Sequence, residues 1–312
     1  MSPTPPIRIG TRKSLLARTQ SGHIQAAVTA ALGAPPEAAE AVAPLVFITT
    51  TGDRIQDRRL TEIGGKALFT KEIEECLLDG RIDVAVHSMK DVPAEQPPGL
   101  CVAAIPVRED PRDAFVSGEW GSMAALPQGA RLGTASLRRQ AQALKARPDL
   151  VVETLRGNVD TRLARLAAGD FDAILLAAAG LNRLGLNAQA RGFLDPWAAP
   201  PAPGQGALAL QAREGSAWAD WLRRLNHGPT ATCVAAERGA LTALEASCRT
   251  AMGAFARIEG DRLDLAVEAL APDGTACWRR EGSCATDLDE ARELGLRLGA
   301  EIKAEAGDRL LE

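Results

Sequence analysis

Apolar positions along this chain fall into short continuous runs that alternate with longer stretches at helical spacing. That alternation predicts a β–α succession. After a proline-rich start, residues 7–9 (Ile-Arg-Ile) form a short strand that closes on Gly10-Thr11-Arg12-Lys13-Ser14. Ser14 then caps a helix reaching to about residue 32. A strand is expected over 45–48, closing on TTTGD with Asp53, and a helix over about 69–78. Residues 82–86 are continuously apolar, as in a parallel strand buried on both faces, and run into HSMKDVP. Lys90 and Asp91 therefore follow a strand's C-terminal end, where open α/β sheets place their ligands. A strand over 100–107 leaves this first unit.

The alternation restarts near Pro111. Strands are predicted at about 114–116, 131–133, 151–154 and 173–177, with helices over 137–146 and 159–168 and a short one near Leu181. Two α/β units in series suggest two lobes with a cleft. In PPAPGQGALAL, residues 200–210, Gly206 is expected to allow a close backbone approach, with a strand over 207–210. From Pro229 onward the pattern changes. A long helix to about residue 246 can be capped by Thr230. Strands follow near 254–258, 263–270 and 275–281, and a last helix starts near Leu288. Leu263, Leu265 and Val267 alternate as in a half-exposed antiparallel strand.

Composition narrows the function. The 312 residues are 46% hydrophobic but only 4% aromatic, with no tyrosine, and the net charge is −4. Stacking platforms for single-stranded nucleic acid need aromatic faces, and general polyanion binders are basic. No nucleic acid partner is expected. The longest apolar run is far short of a membrane span, and the start of the chain has no apolar signal core, so a cytoplasmic, membrane-free protein is expected. The six cysteines show no CxxC spacing and are expected as free thiols. The three histidines form no metal-ligand pattern, so no metal is expected.

Charge is unevenly placed. Between Arg131 and Arg165 stand eight basic residues against three acidic ones, although the whole chain is acidic. Ser136 reads as an N-cap, which puts Arg138 and Arg139 in a first helical turn. The macrodipole is positive there, and each cation costs about 0.3–1 kcal/mol. Arg162 repeats the arrangement after Arg156-Gly157-Asn158. A local rule broken twice in the same way points to an anion site. Two glycine-rich turns resemble nucleotide motifs but fail in detail. Before Gly65-Lys66 the P-loop's first glycine is replaced by Leu60, and Gly204, Gly206 and Ala209 follow prolines rather than a strand.

RIGTRKSLLA, TTGD, GGKALFTKEIE, DVAVHSMKDVP, EDPRDAFVS, GTASLRRQ, LRGNVDTRL, LAAAGLNRLG and PGQGA occur in this order. Together they closely resemble the porphobilinogen deaminase (hydroxymethylbilane synthase) family. The resemblance implies an α/β protein with two lobes of the type II periplasmic-binding-protein kind and a small C-terminal α+β domain with a three-stranded antiparallel sheet. The lobes would comprise residues 1–107 with 204–226 and residues 108–203, and the third domain residues 227–312. It further implies a transferase of tetrapyrrole biosynthesis. Four porphobilinogen molecules would be joined head to tail with loss of ammonia, on a dipyrromethane primer held by a thioether to Cys248. A monomer is implied.

By the same resemblance, Asp91 matches the catalytic carboxylate. Lys90, Ser88, Thr134, Ser136, Arg138, Arg139, Arg156, Arg162 and Asp91 itself match cofactor-binding positions. Arg12, Ser14, Arg183, Phe69, Lys66, Asp53 and Gln205 match substrate-side positions. The types suit the chemistry, because each pyrrole carries two carboxylates and arginine forks hold carboxylates bidentately. The family pattern has proline where this chain has Leu15. It has two glycines and a proline around the cysteine where this chain has Ala246, Ser247 and Ala251. From the residues alone, a non-catalytic two-lobed polycarboxylate binder remains an alternative, though it would need neither Asp91 nor a modified Cys248.

Overall fold

The computed structural model describes residues 6–51, 70–245 and 250–310. In chain order the principal elements are β1 (Ile9–Arg12), α1 (Leu15–Ala31), α2 (Ala39–Val42), β2 (Leu45–Ile48), α3 (Lys71–Leu78), β3 (Val84–Ser88) and β4 (Leu100–Ala104). Then come β5 (Asp113–Val116), β6 (Arg131–Gly133), α4 (Leu137–Ala146), β7 (Val151–Glu153), α5 (Val159–Ala167), β8 (Ala173–Ala177), α6 (Ala178–Arg183) and β9 (Gly192–Phe193). The chain continues through β10 (Leu208–Arg213), α7 (Ala217–Leu222), α8 (Gly228–Ala243), β11 (Ala251–Glu259), β12 (Arg262–Leu270), β13 (Cys277–Ala285) and α9 (Leu288–Ala306).

The described residues form two compact units: 6–51, 70–108 and 207–231 in one, 109–206 and 232–310 in the other. In the first unit the sheet order is β2-β1-β3-β10-β4. The first three strands are parallel, and β10 runs antiparallel to both its neighbours. Alternation along β3 sends Val84 and Val86 to a core with Ile24, Val28, Trp218 and Trp221, and Ala85 to one with Ile73, Leu77 and Leu100. Helices thus cover both faces of the sheet. Ile82, read from sequence as strand, lies just before β3, and β4 stops at Ala104 rather than residue 107. Pro106, which has no N–H to donate to a ladder, follows shortly after.

The second unit repeats the pattern. Its sheet order is β7-β6-β8-β5-β9, with β6 parallel to β7 and β8, and β5 antiparallel to β8 and β9. Both sheets therefore have the type II periplasmic-binding-protein arrangement that the sequence implied. The same unit holds the three-stranded antiparallel sheet β11-β12-β13. Helices α8 and α9 cover one of its faces through Ala236, Ala240, Leu294, Leu298 and Ile302. They pack very closely, since a Cβ on Gly295 would lie 2.0 Å from the Ala236 carbonyl oxygen.

The other face differs from the expected exposed one. Leu270 and Ala251 pack on Ala141, and Leu137 joins them, so α4 of the same unit covers that face. Every residue of β12 except Arg262 is buried. Gly206 behaves as its sequence context suggested. Its φ is +88°, and a Cβ there would sit 2.4 Å from the Glu109 carbonyl oxygen. No helix among the described residues is long and apolar enough to cross a membrane.

Candidate active site

In the first unit the residues expected at a site gather at the C-terminal ends of β1 and β3, which are parallel neighbours. Arg12 is the last residue of β1, half-buried. Ser14 caps α1, its hydroxyl accepting from the Ala17 N–H at 3.4 Å. Ser88 ends β3, and its hydroxyl accepts from Gln20 Nε2 at 3.0 Å. A single 3-10 turn, Met89–Asp91, follows. Met89 is buried and its N–H donates to the Ala207 carbonyl, which anchors the turn to the sheet edge. Lys90 and Asp91 project from this fixed turn with exposed side chains.

Below the turn lies a polar chain that sequence reasoning did not single out. His87 is buried, with Nε2 3.1 Å from Gln211 Oε1, and Gln211 Nε2 donates to Gln96 Oε1 at 3.0 Å and Glu74 Oε1 at 3.4 Å. Burial, together with nearby Arg12, lowers the His87 pKa to about 4, although the Gln211 hydrogen bond opposes this. The unfolded chain takes up this proton below about pH 6.5, whereas the folded chain does so only near 4. Stability from neutral His87 is therefore full above pH 6.5 and declines as the pH falls towards 4, by up to about 3 kcal/mol. Thermal unfolding at pH 7.5 and 4.5 should show a smaller acid loss for His87→Gln than for the parent; equal losses would refute it.

In the second unit the residues gather at the matching edge of the other sheet. Thr134 follows β6 and is buried; its hydroxyl accepts from the Ser136 N–H at 3.2 Å. The Ser136 hydroxyl accepts from the Arg139 N–H, as its predicted N-cap role requires. Arg138 and Arg139 are both buried. Their counter-charge is Asp113, the first residue of β5, whose antiparallel pairing opposite Ala177 brings it to this edge. Arg138 Nη1 donates to Asp113 Oδ2 at 2.7 Å, to Gln142 Oε1 at 2.8 Å and to the Pro200 carbonyl at 3.3 Å. Arg139 donates to Asp113 Oδ1 through Nε at 3.0 Å and Nη2 at 2.7 Å, and to the Leu175 carbonyl through Nη1 at 2.9 Å. Gln205 Nε2 also reaches Asp113 Oδ1, at 2.9 Å. Burial alone would raise the Asp113 carboxyl, but the two guanidiniums hold it far below the ordinary carboxylate range.

Arg183, which ends α6, donates through Nη2 to the Gly206 carbonyl at 2.8 Å. Burial pushes its pKa down while Glu109 opposes the shift. Arg162 Nε donates to the Gly157 carbonyl at 2.8 Å, which ties α5 to the Arg156-Gly157 turn. Two donors stand out. Among the described residues, Arg138 Nε and Arg156 Nη1 are buried and find no hydrogen-bond partner. Asp53, Lys66, Phe69 and Cys248 lie outside the described residues. No group of metal-ligating side chains occurs among the described residues.

The fold and its charges define a class first: paired type II binding-protein-like lobes with guanidinium groups at their strand ends, followed by a small α+β region. The model of "Porphobilinogen deaminase, dipyromethane cofactor binding domain" matches residues 7–220, and that of "Porphobilinogen deaminase, C-terminal domain" matches residues 231–304. A porphobilinogen deaminase of Caulobacter vibrioides is 61% identical over all of this chain and 99% of its own length. One of Phenylobacterium zucineum is 58% identical over the full length of both, and one of Paraburkholderia phymatum is 44% identical over 98% of this chain and 93% of its own. The chain belongs to the porphobilinogen deaminase family. Among solved structures, a periplasmic substrate-binding protein of an ABC transporter from Coxiella burnetii is similar at a TM-score of 0.43 and 14% identity, over 74% of this chain and 96% of that one. A nutrient-binding protein of Burkholderia cenocepacia bound to methionine gives 0.43 and 15%, over 70% and 89%.

Proposed function

We propose that this protein is a hydroxymethylbilane synthase. It condenses four porphobilinogen molecules head to tail, releases ammonia at each addition, and frees the linear tetrapyrrole by hydrolysis. The observation that carries this reading is the pair of buried guanidinium N–H groups, on Arg138 and Arg156, that find no acceptor among the described residues. A buried donor left unpaired costs about 1–3 kcal/mol. Both belong to motifs shared with the family, and a carboxylate would satisfy both. The residues therefore fit a dipyrromethane, whose side arms are acetates and propionates. Such a group, when bound, supplies a nucleophilic pyrrole carbon to which the chain is added.

The protein's own residues do the rest. Arg138, Arg139, Arg156 and Arg162, with Lys90, Ser88, Thr134 and Ser136, hold the cofactor carboxylates. Cys248 provides the thioether sulfur. Arg12, Ser14 and Arg183, with Asp53, Lys66, Phe69 and Gln205, serve the incoming substrate. Asp91 stands on a rigid turn and stabilises the positive charge that develops on porphobilinogen as ammonia leaves. It also accepts or returns the proton at the bond-forming carbon. Three functional modules follow the resemblance: residues 1–107 with 204–226, residues 108–203, and residues 227–312. No disulfide joins the described cysteines, which suits the reducing cytoplasm, where this reading places the protein as a monomer.

The test is turnover. Purified protein given porphobilinogen should release ammonia and tetrapyrrole in a ratio of about four to one, as the additions require. Binding of porphobilinogen without ammonia release would instead favour a polycarboxylate-binding protein.

A further inference from the structure

We infer that Asp113 is a positioning residue for the arginine pair, an assignment that rests on the porphobilinogen deaminase reading. Its side chain is 1% exposed. Both oxygens are saturated: Oδ2 takes Arg138 Nη1, while Oδ1 takes Arg139 Nε, Arg139 Nη2 and Gln205 Nε2. The consequences for the two arginines differ. Each nitrogen of Arg139 makes at least one bond, two of them to Asp113 and one to the Leu175 carbonyl, which fixes the orientation of its guanidinium without using all five of its N–H groups. Among the described residues Arg138 is held by Nη1, and its buried Nε–H finds no acceptor there. One carboxylate thus fixes the first guanidinium and pins the second by one end, leaving the second with donor capacity to spare.

Charge is what does this. Two guanidiniums buried side by side repel each other in a medium of low polarity. A single negative charge leaves the trio at +1, enough to attract a carboxylate without leaving two unpaired cations buried. A neutral residue of equal size would fill the same space. It would remove the compensation, however, and let both guanidiniums drift from their alignment, and small misplacements of binding groups cost large factors in rate. The position at the start of β5 matters as well. That antiparallel strand is what carries an acid to the edge where the parallel strands β6 and β8 end.

The experiment compares Asp113→Asn and Asp113→Glu in the full chain. Asn keeps the size and one acceptor but loses the charge; Glu keeps the charge. Intact-protein mass spectrometry reads the fraction carrying a covalent dipyrromethane, and steady-state kinetics read KM and kcat on the loaded fraction. For Asp113→Asn we expect the loaded fraction to fall about tenfold and KM to rise by about ten- to a hundredfold, with a much smaller change in kcat. Asp113→Glu should restore most of the loading. Wild-type loading and KM in Asp113→Asn, or tolerance of Asn with loss in Glu, would overturn the assignment by showing that bulk matters and charge does not. If Asp113→Asn fails to fold, Asp113→Glu decides: loading near the parent's supports the role, and a folded but unloaded protein refutes it. Absence of the adduct in the parent protein would instead refute the functional reading, so the two failures are distinct.

Discussion

Asp91→Ala is expected to leave a folded protein whose kcat is lower by about a thousandfold or more, the scale of losing both a charge-stabilising group and a proton carrier. The structure separates the two possible effects of this change. Asp91 is exposed at the end of a turn whose anchor is Met89, so its removal opens no cavity. Thermal stability should therefore stay within about 0.5 kcal/mol of the parent, as for other surface changes. The adduct should persist, since the arginines proposed to hold it are unchanged. Pre-steady-state and steady-state turnover with porphobilinogen check this. A kcat within a few-fold of the parent would remove Asp91 from the chemistry.

Cys248→Ser should abolish the covalent adduct and, with it, essentially all tetrapyrrole formation. A hydroxyl cannot take the place of the thioether sulfur, so the loss should exceed that of Asp91→Ala. Other thiols are poor substitutes. Burial pushes the Cys76, Cys101 and Cys284 thiols up. Burial also raises Cys277, where Lys145 pulls the other way and Glu268 adds to the rise. Protonated thiols are weak nucleophiles at neutral pH. Adduct formation on another cysteine in Cys248→Ser, with activity retained, would break the assignment.

Much of the fold could be read directly because it is local. The spacing around Ser14 and Ser136 announced two N-caps, and both hydroxyls accept backbone N–H groups in the first turn of their helices. The glycine at 206 announced a close approach, and its backbone has no room for a Cβ. What escaped reading depends on partners far away in sequence. The half-exposed pattern of β12 was misleading because α4, more than a hundred residues earlier, covers its other face. There Glu268 accepts from Gln142 at 3.0 Å and pairs with Lys145 at 2.6 Å, so a charged residue on a strand marks a polar contact rather than solvent.

The arginine stretch shows both outcomes in one place. Two cations in a first helical turn point to a need for an anion, which the sequence reading takes to be a ligand's. Part of that need is met within the protein by Asp113, which is 25 residues from Arg138 and stands on an antiparallel strand. The motif EDPRDAFVS contained this acid, but no local spacing ties it to the arginines. The remainder, on Arg138 Nε and Arg156 Nη1, is what a ligand's carboxylates would answer.

Intact-protein mass spectrometry of the freshly purified wild-type chain, followed by peptide mapping, tests the whole account most directly. The protein should be heavier than its sequence by one two-ring pyrrole unit, and the extra mass should map to the peptide containing Cys248. A catalytically active protein with the unadorned sequence mass and a free Cys248 thiol would contradict it.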